Sequence, residues 1–339
     1  MRLPTFLFGL TLLVLSCAGT RAEPALDPIV ESFINGLKAQ NFPALNTRNP
    51  EEARDVLERL QGLPIAFAPT DEHSRFVAGG PSARTHVHIV RPKGVTDALP
   101  AIIYLHGGGW MMGSFKTHER LVRALAHGVG ATVVFVDYYR TPEARAPIPM
   151  EQSYAVLKYV SEHPIELNID PSRLAVAGDG AGGGMATALT MLAKKRGGPT
   201  IKSQVLLYPL TSAKFDDASY KEFADGPWLG RDDMKWFWEF YMPDRSARSE
   251  TTASPLLADI DDLRDLPPAL IITAEHDVLR DQGEAYGRLL VAAGVPTKQT
   301  RYRGVIHDFM MLNVFADILP ARMALQQTID ELAIRLKKP

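Results

Sequence analysis

Residues 173–185 read Arg-Leu-Ala-Val-Ala-Gly-Asp-Gly-Ala-Gly-Gly-Gly-Met. The run Leu174 to Ala177 is short and apolar, and the glycine-rich turn Gly178-Asp179-Gly180-Ala181-Gly182-Gly183 follows at once. An Ala/Met/Leu-rich helical run then extends from Ala181 to Lys195. A strand, a sharp turn and a helix in this order have two chemical uses. In Gly-x-Ser-x-Gly, a strained turn lifts a serine nucleophile above a sheet. In Gly-x-Gly-x-x-Gly, backbone N–H groups meet a pyrophosphate. The letters fit the second, because the central position is Gly180 rather than serine.

The flanking chain predicts the sheet into which this turn is set. Ala101 to Leu105 is a continuous apolar strand, as expected at a sheet centre covered on both faces. It runs into His106-Gly107-Gly108-Gly109-Trp110, a helix over about 117–127 and a strand over 131–136. A helix over about 150–162 precedes the quoted stretch, and a strand over 202–208 follows it. Farther on come a strand over 269–273, a helix over about 281–293, a strand over 298–302 and a helix over about 320–336. Strands alternating with helices define an α/β fold with a mostly parallel, doubly wound sheet. Residues 74–78 and 85–91 start it as an antiparallel pair. There His86 and His88 alternate onto one face. With no carboxylate adjacent in sequence, they read as a solvated strand face rather than a metal site.

Two segments fall outside the alternation. Residues 27–62 form two amphipathic helices, with Val30, Phe33, Ile34 and Leu37 spaced for one face of the first. The second starts with Asn49 as N-cap, Pro50 next and Glu52 three residues on. Residues 209–266 carry Gly226-Pro227-Trp228-Leu229-Gly230 and the run Trp236-Phe237-Trp238-Glu239-Phe240-Tyr241. We read 23–72 and 209–266 as two parts of a helical cap on a body spanning 73–339. The aromatics either line an apolar pocket or pack the insertion onto the body.

Dinucleotide binding makes a second demand: an acidic residue about 20 residues past the turn, at the end of the next strand. That strand ends Leu206-Leu207-Tyr208-Pro209-Leu210-Thr211, without a carboxylate. Nucleophilic hydrolysis makes three demands of its own. Backbone N–H donors for an oxyanion come from the turn after an earlier strand, here Gly108 and Gly109, and from the residue after the nucleophile, here Ala181. An acid follows a later strand, here Asp277. A histidine comes last, here His307 in Gly304-Val305-Ile306-His307-Asp308-Phe309. All three occur in the expected chain order, and the hydrolytic reading is retained.

On these residues the chain resembles the hormone-sensitive-lipase-like bacterial carboxylesterases of the α/β-hydrolase superfamily. The resemblance rests on His106 to Trp110, Asp137-Tyr138 with Pro142-Glu143, and Asp170 to Arg173. It rests also on Gly178-Asp179 with Ala181-Gly182-Gly183, Ala253 to Leu256, Asp277 with Leu279 to Asp281, and His307 with Phe309. It implies an α/β-hydrolase fold with a helical cap, and oxyanion donors at Gly108, Gly109 and Ala181. It implies an acid at Asp277, a base at His307, and action on short- to medium-chain acyl esters without a cofactor. Trp110 is expected near the wall of an apolar substrate pocket. The departure is Gly180, where the family has serine. Glycine tolerates the strained turn but has no atom that can attack a carbonyl. Asp179 is expected to point away from the pocket, and the next hydroxyl on the helix, Thr187, lies too far along to reach. Three readings stay open. The scaffold has lost its chemistry and binds a small apolar ligand; His307 with Asp277 activates water directly; or Gly180 is a substituted position in an ordinary esterase.

Composition bounds the rest. The chain has 339 residues and a formal charge of −2, enough for one large core and without the basic excess that nucleic acid binding needs. Its only cysteine, Cys17, excludes a disulfide framework and a cysteine-based metal site. The partner expected is therefore a small-molecule ester or apolar ligand. Residues 1–22 read as an export signal: Arg2, an apolar run from Phe6 to Leu15, and a small-x-small site at Thr20-Arg21-Ala22 or Ser16-Cys17-Ala18. Val14-Leu15-Ser16-Cys17 also resembles a lipoprotein-processing site, with Leu15 an imperfect fit; membrane attachment follows only if Cys17 is lipidated. A periplasmic or secreted location is expected by either route.

Overall fold

The computed structural model describes residues 25–338, so residues 1–22, read above as an export signal, and with them Cys17, lie outside the described residues. Eight strands form one sheet: β1 (Thr70–Ala78), β2 (Arg84–Pro92), β3 (Leu99–Leu105), β4 (Thr132–Asp137), β5 (Ile169–Asp179), β6 (Ser203–Leu207), β7 (Ala269–His276) and β8 (Thr297–Ile306). Their spatial order is β1-β2-β4-β3-β5-β6-β7-β8. The β1–β2 and β2–β4 pairs are antiparallel, and every pair from β4–β3 to β7–β8 is parallel. β3, β5 and β6 sit mid-sheet, and β3 is apolar throughout. Residues Ala101 to Leu105, Leu174 to Ala177 and Val205 to Leu207 are all fully buried, as strands covered on both faces must be.

Helices α1 (Pro28–Ala39) and α2 (Pro50–Leu60) precede the sheet. The body helices are α3 (Phe115–Val129), α4 (Ile148–Glu162), the single turn α5 (Pro164–Leu167) and α6 (Gly180–Lys195). Between β6 and β7 lie α7 (Ala218–Glu222), α8 (Arg231–Tyr241) and α9 (Ile260–Leu263); α10 (Arg280–Ala292) and α11 (Leu319–Arg335) complete the fold. The start of α2 follows from its sequence. The Asn49 side chain accepts from the Glu52 N–H, and Glu52 accepts in return from the Asn49 N–H, so two otherwise orphaned donors are satisfied. Ser114 and Thr117 do the same for α3, which ends on Gly130 in a left-handed conformation.

The helices before the sheet and those of the β6–β7 segment meet over one end of it. Asp233 on α8 accepts from the Asn46 N–H at 2.9 Å. Arg54 on α2 donates to the carbonyls of Met111 and Thr141, both at 2.9 Å, while pairing with Glu143. Gln61, just past α2, donates to the Thr117 and Met311 carbonyls. Polar side chains thus fasten these segments through backbone carbonyls and a backbone N–H, which an apolar interface alone would leave unpaired.

One expectation is corrected here. His86 and His88 do share a face of β2, but carboxylates stand beside both. Pairing with β4 puts Asp137 opposite His86, and pairing with β1 puts Glu72 diagonally across from His88. His86 Nδ1 lies 3.1 Å from Asp137 Oδ2, and His88 Nδ1 lies 2.8 Å from Glu72 Oε1. Adjacency across a sheet is set by register, which linear spacing does not display.

Candidate active site

β5 runs without a break into α6, and the residue at the junction is Gly180, with φ +49°. A side chain there is strained, and glycine relieves the strain. A Cβ built on Gly180 would lie 3.3 Å from Nε2 of His307 and 3.9 Å from Cα of Gly107. The tip of the turn therefore faces the imidazole on one side and the glycine turn after β3 on the other.

The imidazole is oriented from the opposite edge. His307 follows β8, Asp277 follows β7, and His307 Nδ1 lies 2.8 Å from Asp277 Oδ2. The other Asp277 oxygen accepts from the Leu279 N–H at 2.9 Å. This fixes the tautomer logic: Nδ1–H donates to the carboxylate and Nε2 turns toward Gly180. Nε2 also lies 3.4 Å from Oδ1 of Asp308, whose other oxygen accepts from Trp228 Nε1 at 3.0 Å. Burial works against charge on His307, yet the Asp277 and Asp308 carboxylates outweigh it and lift the imidazole to about 9. Burial raises the Asp308 carboxyl above its ordinary range, with the His307 charge opposing. The Tyr208 ring meets His307 edge-on at 5.0 Å.

The turn after β3 carries three consecutive positive φ angles, at Gly108, Gly109 and Trp110. The Met111 and Met112 N–H groups both donate to the Gly108 carbonyl, at 3.1 and 2.8 Å, and close the turn. A Cβ at Gly109 would collide with the Phe237 ring of α8, so the cap seats directly on this turn. Ala181 is in the first turn of α6, where N–H groups have no intrahelical partner.

Beneath the elbow is a second histidine–aspartate pair that the sequence reading did not identify. Asp179 points down, away from Gly180. It accepts from the Tyr104 hydroxyl at 2.7 Å and lies 3.2 Å from Nε2 of His118. Burial disfavours both charges, but each partner holds the other ionised: His118 is raised and Asp179 lowered. His106 carries no such partner; burial, then the neighbouring His118 charge, lower it to about 3, so it is neutral. Its ring stacks on Tyr138 at 4.1 Å, and the Tyr138 hydroxyl donates to its carbonyl at 2.7 Å.

The structure thus brings Gly180 beside His307, with Asp277 behind the imidazole and Gly107 of the glycine turn on the other side, while Gly108 and Gly109 continue that turn and Ala181 follows Gly180 in the first turn of α6. It places Trp110 differently from a pocket wall. The ring is 2% exposed, stacked on Tyr241 at 4.0 Å and edge-on to Trp238 at 4.8 Å, so it bolts the glycine turn to α8. Phe237, Trp238 and Tyr241 are buried in the same contact, which makes packing the role of these three aromatics. Thr187 lies one face away, its hydroxyl 2.6 Å from that of Tyr286. Asp308 and Trp228 were both inside motifs quoted from the sequence. No spacing rule links them, because their contact joins the cap to the loop after β8.

Residues 102–311 match the family described as alpha/beta hydrolase fold, and the chain belongs to it, among hormone-sensitive-lipase-like members with esterase relatives. Carboxylesterase NlhH of Mycobacterium tuberculosis is 38% identical over 305 residues, covering 89% of this chain and 93% of its own. The crystal structure of a thermostable esterase from Pseudomonas putida ECU1011 superposes with a TM-score of 0.92 at 40% identity, over 94% of this chain and 99% of that one. A mutant of esterase rPPE complexed with (S)-Ac-CPA gives the same TM-score, identity and coverage. The protein is a carboxylesterase-like hydrolase scaffold.

Proposed function

We propose that this scaffold binds short- to medium-chain acyl esters, or a small apolar ligand of similar shape, and that Gly180 silences its ordinary serine-esterase chemistry. One observation carries the reading. The position that must bear the nucleophile is built, oriented and faced by His307 Nε2 at 3.3 Å from an added Cβ, and it bears no side chain. Without an attacking oxygen no acyl-enzyme forms. In subtilisin the loss of the triad serine costs about 10⁶ in kcat. From a typical kcat of about 10 s⁻¹ that leaves about 10⁻⁵ s⁻¹, roughly one turnover a day. Direct activation of water by His307 is the second reading; with the imidazole raised to about 9, it shares with the serine chemistry of Gly180→Ser a rate that climbs with pH. Among similar structures, a mutant of esterase rPPE is seen complexed with (S)-Ac-CPA, which supports ligand binding by a scaffold of this kind.

The test is hydrolysis of p-nitrophenyl acetate and butyrate by the protein, side by side with Gly180→Ser. Turnover by the serine form alone is expected. Comparable turnover by both would show a different nucleophile or water activation, and His307→Ala would then separate those. Inactivity of both would remove the assignment of Asp277, His307 or the substrate class.

A further inference from the structure

We propose that His86, His88 and Asp137 form a binding site for a divalent cation of the zinc class, with Glu72 orienting His88. The three residues sit on one face of adjacent strands, and a ligand atom from each lies within 4.8 Å of the others. His86 Nδ1 and Asp137 Oδ2 are 3.1 Å apart. Two ligands each about 2.0–2.1 Å from a tetrahedral zinc are about 3.3 Å from one another, so this pair already spans one edge of the coordination polyhedron. The Glu72 carboxylate holds His88 Nδ1 at 2.8 Å, which leaves Nε2 for the cation. A carboxylate behind a ligating imidazole is the usual device for fixing its tautomer and strengthening it as a donor.

The rings are held in place before any cation arrives. His88 lies flat on Phe115 at 4.1 Å with 5° between planes, and His86 meets His88 edge-on at 4.8 Å. Two imidazoles so close repel when both are protonated, and attract a shared cation when neither is. The four side chains are 18 to 33% exposed, open enough for entry and enclosed enough to limit competition from water. Two nitrogens and a carboxylate select a borderline cation such as zinc over magnesium or calcium, which prefer oxygen alone. A fourth position remains for water. The bound cation ties β1, β2 and β4 together at the sheet edge. It does so one residue before Tyr138, whose hydroxyl holds the His106 carbonyl at the start of the glycine turn.

The test is titration of the chelator-stripped, dialysed protein with zinc chloride by calorimetry, and with cobalt chloride by visible absorption. One equivalent is expected to bind, giving the intense band of four-coordinate cobalt, and zinc is expected to raise the thermal midpoint. His86→Gln/His88→Gln is expected to weaken binding at least about 100-fold, and Glu72→Gln about tenfold. Asp137→Asn, which keeps the shape of β4, is expected to weaken it at least about tenfold and to remove the thermal shift; it keeps the proposal falsifiable should the double variant not fold. Absence of saturable binding to the parent protein overturns the proposal. So does binding that survives Asp137→Asn and the double substitution unchanged, since it would place the metal on other side chains.

Discussion

Two histidine–aspartate pairs flank the same turn and differ in what they leave free. His118 and Asp179 are wholly buried beneath the elbow. His118 Nδ1 lies 2.8 Å from the Thr117 hydroxyl, and Nε2 faces Asp179, whose other oxygen is taken by Tyr104. Every polar atom is committed, so the pair can only hold α3, β3 and β5 in place. His307 and Asp277 are as close, but Nε2 of His307 looks into the space beside Gly180. On the proposed function, the same two residue types make a brace in one place and an acid–base device in the other. The difference is that Nε2 of His307, though 3.4 Å from an Asp308 oxygen, still faces the position at Gly180.

The comparison is sharpened most by Gly180→Ser. We expect the variant to gain about 10⁴- to 10⁶-fold in kcat on p-nitrophenyl butyrate, and adding His307→Ala to cancel the gain. His118→Ala in the same serine background is expected to act through folding instead. Removing one partner of a buried ion pair costs about 3–5 kcal/mol, read as a lower urea midpoint, with residual activity tracking the folded fraction. A His118→Ala variant that stays fully folded but loses turnover would break the distinction.

Smaller effects follow from charge. Because His307 must be neutral to accept a proton and is raised to about 9, the rate of Gly180→Ser should climb with pH and level off only near that value. Asp308→Asn in that background should move the midpoint toward the ordinary histidine range, measured as kcat/KM against pH. The same shift has a stability consequence. A raised folded-state value means that the stabilisation from His307 is fully present below about 6.5 and is lost as pH rises through about 9. Urea unfolding of the parent protein should show this decline, and His307→Gln should flatten it. The smallest effect expected is from Arg54→Ala, about 1–3 kcal/mol for the loss of charged hydrogen bonds to two carbonyls.

Much of this molecule was legible from chain order alone. Apolar strands such as 101–105 and the turns after them mark where chemistry can be placed, since parallel α/β sheets present loops at strand ends. Gly108, Gly109, Ala181, Asp277 and His307 were read that way, and in the structure Asp277 and His307 meet beside Gly180 while the glycine turn after β3 reaches Gly180 through Gly107. What stayed hidden depends on register and on the seating of the cap. Asp137 meets His86 because two antiparallel strands pair, though the residues are 51 apart in sequence. His118 reaches Asp179 from across a helix–strand contact 61 residues long in sequence. Trp110 reads as a pocket aromatic from its place beside three glycines, but its positive φ turns it into α8. Neither pattern nor propensity encodes which of two apolar surroundings a tryptophan enters.

The indole of Trp228 donates to the carboxylate beside the catalytic-type imidazole, and Trp228 belongs to the cap. That donor favours the charged form of Asp308, and charged Asp308 in turn holds the proton on His307. Loss of that donor would make Asp308 easier to neutralise and let His307 release its proton at lower pH. The seating of the Gly226–Gly230 segment and the base strength of the histidine beside it are therefore joined by a single N–H.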